Sequence, residues 1–385
     1  MYRKKCFSFL ILVVFIMLGL AGGIFLRIWY KDPLYLFHAP KADKFRIEDN
    51  MRLQASGIIN SFDFDSIILG TSMLENTSAE HCSKVIGGNF VNISLSGASF
   101  WERDFVLRHT LKNKNISNVV YSLDNSYINC AKETQKYKKE NWIYLYDDNH
   151  LNDFKVYINK KYLKNILFRY KPSQFKTLDR PNAWMNKQMH TCRFGGLQNW
   201  VRHKKLQGLD AILTKSIPSL AVKCTPNSKI RHDKKREQKA FTYIEKHILS
   251  LAAENKDTKF HLLFPPYWRY RYAEMRQLNV TLFALHQEVV RYMVKRAEQL
   301  GNVFIYGFED CSFVDDVTRY KDTGHYDENV NVYMTESMGK GKHRLTSNNV
   351  EAYLTRCDEL ARAFDFKALN QEVKKLLAKQ ASPRK

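Results

Sequence analysis

The longest uninterrupted apolar stretch of the chain lies near its beginning, where no residue from Cys6 to Leu26 carries a charge. About 21 residues at ~1.5 Å each cross a hydrocarbon core of ~30 Å, so the pattern predicts one membrane-spanning helix, placed at residues 6–28. Arg3, Lys4 and Lys5 precede it, a flank that favours a cytoplasmic N-terminus with the remaining chain outside. Trp29 and Tyr30 follow, and such rings suit the membrane interface. A cleaved signal peptide is the rival reading, but its apolar region runs only ~7–15 residues and ends at a small-x-small site. The length here argues for an uncleaved anchor.

Beyond a juxtamembrane stretch, the pattern changes to five short apolar runs: Ser66–Gly70, Phe90–Ser94, Val119–Leu123, Lys259–Phe264 and Asn302–Phe308. Near-continuous runs of this length predict strands buried on both faces of a parallel sheet. Helical spacing intervenes: Phe241, Ile244, Ile248 and Leu251 share one face, and Val289, Met293, Ala297 and Leu300 share another, closed by Gly301. Alternating strands and helices predict an α/β fold with a doubly wound, parallel five-stranded sheet in a flavodoxin-like α/β/α sandwich. This domain is expected over residues 43–345, with a C-terminal helix and basic tail over 346–385. Residues 130–233 interrupt the alternation. A long insertion of this kind forms a lid or small subdomain above a site, or simply packs.

Charge and cysteine content narrow the setting. Of the net charge of +22, Arg3, Lys4, Lys5 and Arg27 supply four, and residues 1–27 hold no acid, so +18 belongs to the part beyond the anchor. A basic surface outside a membrane attracts anionic lipid headgroups or anionic envelope polymers. A Lys-rich surface serving solubility explains the charge equally well. No nucleic-acid-binding signature accompanies it, so nucleic acid is not an expected partner. Cys6 falls in the anchor, and the six cysteines beyond it permit disulfides without fixing their pairing. No spacing marks a metal site: His190 and Cys192 are close, yet no second pair completes them. No cofactor is expected.

The candidate chemistry sits at two distant places. Ser72 follows the first predicted strand in Gly70-Thr71-Ser72, and ligands of open α/β sheets bind beyond the carboxyl ends of the strands. Its bland reading is a helix N-cap. The segment Asp322-Thr323-Gly324-His325 follows the last predicted strand. A serine hydroxyl needs a base, the base needs an orienting carboxylate, and one D-x-x-H segment supplies both.

Taken together, in this order around five strands, the motifs resemble the SGNH (GDSL-like) hydrolase superfamily across roughly Ser66 to Met338. The resemblance implies Ser72 as nucleophile, His325 as general base and Asp322 as the residue orienting it. It also implies oxyanion donors at Gly97, after the second strand, and at Asn125. The chain departs from the family's usual motifs at two positions. Thr71 replaces the Asp of Gly-Asp-Ser, and Asp124 stands where an Asn donor is usual. A carboxylate there repels an oxyanion unless it is protonated or turned away. The layout looks most like single-span envelope acyl-transfer proteins such as the D-alanine-transfer protein DltD, which work beside membrane-bound O-acyltransferases. It implies a domain in the periplasm or extracytoplasmic space, held at the cytoplasmic (inner) membrane by its lipid-embedded anchor. The expected function is O-acylation or deacylation of an envelope glycan or lipid-linked polymer by a Ser-His-Asp triad. The alternative is a catalytically silent protein of this fold that binds or assembles such a polymer.

Overall fold

Strand residues with no polar neighbour to carry to solvent end up covered on both sides. In the computed structural model, which describes residues 2–40, 45–130, 137–169 and 175–381, the five apolar runs form β1 (Ser66–Leu69), β2 (Phe90–Asn92), β3 (Asn118–Ser122), β4 (Lys259–Phe264) and β5 (Val303–Gly307). Ile67, Ile68, Val119, Val120, Leu262 and Leu263 are all fully buried, as expected of a sheet packed on both faces. The order is β2-β1-β3-β4-β5-β6, with the first five strands parallel. The structure adds β6 (Arg344–Leu345), a short strand antiparallel to β5. From β1 the chain crosses outward to β2 and then returns to β3 on the other side of β1. Such a reversal leaves a crevice above the carboxyl ends of the two diverging strands.

The chain divides into two compact units, Met1–Asp63 with Tyr137–Leu178 and Phe64–Lys136 with Asp179–Lys385. The first contains α1 (Tyr2–Lys31), whose Cys6–Lys31 segment is long and apolar enough to cross a membrane, its apolar window not buried within the protein. Past its end, the Asp32 carboxylate accepts backbone N–H bonds from Leu36, Phe37 and His38 and the hydroxyl of Tyr157. These bonds fix the turn out of the helix. Arg27 donates to the carbonyls of Ile166 and Leu167, and Ile28, Leu34, Val156, Tyr157, Tyr162 and Ile166 form a local core.

The second unit holds the sheet. Both helices predicted from spacing are present. Lys234–Ile244 continues as helix to Glu254 and buries Ile244, Ile248 and Leu251. Val280–Leu300 stops at Gly301, whose φ of +79° is a conformation that glycine adopts without strain. Residues 346–381 form two helices, Val350–Ala363 and Phe366–Ala381. The second buries Phe366, Leu369 and Val373 in a cluster with Trp200, Leu213, Leu220 and Tyr270. Residues 382–385 of the basic tail lie outside the described residues. The 130–233 stretch is shared between the units: 137–178 belongs to the first and 179–233 to the second.

Candidate functional site

Gly70 ends β1 where no side chain fits, since a Cβ there would lie 2.7 Å from Ser122 Oγ and 2.8 Å from Leu74. Crowding between adjacent strand ends, more than turning, therefore demands the glycine. The Gly70 amide donates to Ser94 Oγ at 3.1 Å and its carbonyl accepts from Leu95 at 2.8 Å, so the turn carrying Ser72 is tied to the end of β2. The next helix, Ala79–Val85, is capped by Ser78, which accepts from the His81 amide. Ser72 is not the helix cap.

The distant motif is shaped by its own backbone. Tyr320 and Tyr326 bridge in antiparallel fashion, and the Lys321 amide donates to the His325 carbonyl at 3.0 Å, which folds Asp322 to His325 into a tight loop. Within it Asp322 Oδ1 accepts the Gly324 and His325 amides, each at 2.9 Å. The Tyr320 hydroxyl donates to the Pro266 carbonyl, which gives the Phe264-Pro265-Pro266-Tyr267 segment its structural role. Buried amides draw the loop to the β1 turn. Asn331 donates to Asn76 Oδ1 at 2.7 Å and accepts from Thr77 Oγ1 at 2.6 Å, while Asn76 donates to the Tyr326 carbonyl at 3.4 Å.

The result is a linear array. Ser72 Oγ lies 2.8 Å from His325 Nε2, and His325 Nδ1 lies 2.9 Å from both carboxylate oxygens of Asp322. Burial alone would raise the Asp322 carboxyl, but the His325 ring and the two backbone N–H groups hold it well below the usual carboxylate range. An ionised carboxylate only accepts, so Nδ1 is the donor. In the neutral ring Nε2 then accepts from Ser72. The imidazole remains partly open to solvent, with its side chain 29% exposed.

A second layer lies behind Asp322. Arg193, fully buried, places Nη1 3.8 Å from Asp322 Oδ2 and is itself held by Gln207 Oε1 and the Met189 carbonyl. Lys321 is also buried, with Nζ 2.5 Å from His190 Nδ1. Burial, aided by Lys321 and Arg193, pushes His190 down to about 3, so its ring is neutral and accepts this bond. Burial and, more weakly, Arg193 bring Lys321 down to about 7, against the pull of Asp322. Its folded value lies below the ordinary one of 10.5. The unfolded chain therefore holds a proton that the folded chain lacks between those values, and stability rises with pH across that window. The penalty is fully present below pH 7, with an upper bound on the order of 5 kcal/mol. Lys321→Met is expected to flatten the rise in thermal midpoint between about pH 7 and 10. An unchanged slope in the variant would remove Lys321 as its source.

The three groups open onto a cavity of about 500 Å³ lined also by Thr71, Gly97, Asp124, Asn125, Tyr243, Tyr267 and Arg271. Every residue singled out from the sequence, Ser72, His325, Asp322, Gly97, Asn125 and Asp124, lines this one space. Gly97 has a φ of +64°, where a side chain would be strained. Asn125 Oδ1 accepts from Tyr127 Oη at 3.3 Å, a bond that leaves the donor branch Nδ2 to other partners. Tyr127 is held in turn by His286, and His286 by Glu309.

Asp124 is turned toward cationic and hydroxyl partners. It accepts Thr71 Oγ1 at 2.8 Å and Ser122 Oγ at 2.6 Å, and pairs with Arg103 Nη2 at 3.1 Å. Arg103 comes from the helix Phe100–Asn113, is fully buried, and lies over the Tyr121 and Phe100 rings. Arg103, Arg193 and Lys321 were missed by sequence reasoning, because an isolated basic residue reads as solvated until its burial is seen. No lining residue comes from 130–233 among the described residues; that stretch contributes His190 and Arg193 behind Asp322 instead. No protein-family model matches the chain, and no curated protein matches it in sequence.

Proposed function

We propose that this protein is a membrane-anchored serine acyltransferase or esterase of the SGNH type, acting on an ester of an envelope glycan or lipid-linked polymer. The observation that carries the reading is the Ser72–His325–Asp322 array, 2.8 and 2.9 Å between partners, opening onto a cavity. The parallel strand order β2-β1-β3-β4-β5, which is that of a doubly wound sheet, supports it. So does the pairing of the two departures from the family motif: Thr71 and Asp124 are hydrogen-bonded to each other. A carboxylate is still present at this junction, moved from one strand end to its neighbour, and Arg103 opposes its charge.

In this reading Ser72 Oγ attacks the ester carbonyl while His325 Nε2 takes its proton. Asp322 fixes the ring with Nδ1–H and stabilises the imidazolium. The carbonyl oxygen, now an oxyanion, is met by Asn125 Nδ2 and the Gly97 amide. Collapse expels the alcohol, which leaves with the proton from Nε2, and the acyl group stays on Ser72. A sugar hydroxyl or water then attacks, giving its proton to Nε2, and Ser72 is released. In this reading the apolar N-terminal helix is the membrane anchor, and a membrane-bound O-acyltransferase is the partner that supplies acyl groups; the length and hydropathy of that helix support the anchor. The net positive charge beyond the anchor draws an anionic polymer acceptor.

The test is covalent. A fluorophosphonate incubated with the full-length chain in detergent is expected to add to Ser72, located by peptide mass spectrometry. Absence of any adduct, or an adduct that survives Ser72→Ala, would leave the binding-protein alternative. In cells, Ser72→Ala is expected to change the ester-linked acyl content of envelope polymers. Unchanged content would exclude that substrate class.

A further inference from the structure

The loop after β5 and the turn before β6 bring three donors of different chemistry together. Asp310, Cys311 and His343 present a carboxylate oxygen, a sulfur and a ring nitrogen that all lie within 4.8 Å of one another. Cys311 Sγ is 3.9 Å from His343 Nδ1 and 4.0 Å from Asp310 Oδ1. Tetrahedral zinc, with Zn–S of ~2.3 Å and Zn–N or Zn–O of ~2.0–2.2 Å, holds such atom pairs about 3.6 Å apart. The two sulfur-containing pairs stand within about 0.4 Å of that spacing, and side-chain rotation brings the carboxylate oxygen, within 4.8 Å of the ring nitrogen, the rest of the way.

The surroundings favour coordination over a chance meeting. His343 Nε2 lies 2.7 Å from Tyr333 Oη, so Nδ1 is the nitrogen left to face the sulfur. An outer hydrogen-bond partner of this kind orients nearly every metal-bound imidazole. The His343 backbone has a φ of +58°, a left-handed conformation that costs a non-glycine residue energy and is kept where the surroundings require it. Beside the cluster a second cavity of about 510 Å³ is lined by Asp310 and His343 together with Arg344 and Arg356. It provides an entry path and room for a fourth ligand.

We propose that Asp310, Cys311 and His343 form a zinc site, with water or a small anion from the cavity in the fourth position. Cys311 binds as thiolate, and its proton passes to solvent as the metal enters. The carboxylate and thiolate then balance the dication, while the sulfur and imidazole select zinc over calcium or magnesium. Motif spacing does not reveal the site, because Cys311 and His343 stand 32 residues apart. That interval contains Asp322 and His325, so the metal closes the base of the segment that carries them. The proposal does not depend on the proposed reaction.

The full-length chain, purified in detergent without a histidine tag and stripped with a chelator, is titrated with Co²⁺ and then Zn²⁺. One equivalent of Co²⁺ is expected to give a thiolate charge-transfer absorption that Zn²⁺ abolishes by displacement. Zn²⁺ is also expected to protect Cys311 of the unmodified protein from alkylation, read by peptide mass spectrometry. Cys311→Ser should erase the absorption and weaken zinc at least about 100-fold, and Tyr333→Phe should weaken it about 10-fold. A charge-transfer band that persists in Cys311→Ser, or alkylation of Cys311 at the same rate with and without Zn²⁺, would overturn the assignment. The alkylation measurement needs no variant to fold.

Discussion

Ser72→Ala is expected to lower the hydrolysis of a small activated ester by about 10⁴-fold or more, leaving only the contribution of binding and oxyanion donors. In the proposed reaction the Ser72 hydroxyl oxygen is the atom acylated, so no neighbour replaces it. Asp322→Asn should cost about as much, for a different reason. An amide at that position can donate to Nδ1, which turns the ring to the tautomer with its proton on Nε2, facing Ser72 instead of accepting from it. Because Asp322 is held well below the usual carboxylate range by His325 and two backbone amides, it stays ionised throughout the neutral range. Its own titration therefore gives the rate no pH dependence there. Initial rates for wild type and both variants, corrected for buffer hydrolysis, test this. Ser72→Ala at more than a tenth of the wild-type rate would place the nucleophile elsewhere.

Arg103→Met is expected to destabilise the sheet-containing unit by about 3–5 kcal/mol, the cost of leaving one partner of a buried pair alone. Methionine preserves much of the stem that lies over Tyr121 and Phe100, so the loss is largely that of the charge facing Asp124. The second variant, Arg103→Met with Asp124→Asn, removes that stranded charge and should recover at least half of the loss. Thermal midpoints measured on the three proteins at one pH decide it. If the double variant is as unstable as the single, the guanidinium acts through packing, and the electrostatic account of Asp124 fails.

How far the sequence foretold this arrangement depended on what each residue does with its polarity. The five parallel strands were legible because Ile67, Ile68, Val119, Val120, Leu262 and Leu263 have nothing to offer water, and all are buried. β6 was not, since two residues, one of them the exposed Arg344, make no pattern. Ser72, Asp322 and His325 were legible because a hydroxyl, a base and its carboxylate must occur in a fixed relation to strands. Asp124 was read as a threat to an oxyanion. The fold answers by turning it onto Thr71, Ser122 and Arg103. Gly70 is demanded by Ser122 and Leu74 on its flanks, a crowding that no local pattern shows. The cysteines left pairing open, and all seven are thiols. Arg193 and Lys321 escaped altogether, because whether a basic side chain is solvated or entombed is decided by residues far away in the chain.

The hydroxyl and the imidazole are separated by 253 residues. A ribosome finishes the first long before it reaches the second. While the chain is still being made, Ser72 is an ordinary alcohol with no imidazole beside it. Its pairing with His325 arises only after the stitch of Asn76, Thr77 and Asn331 has closed. A chain cut short before Asp322 therefore lacks the array altogether, whatever the state of its sheet.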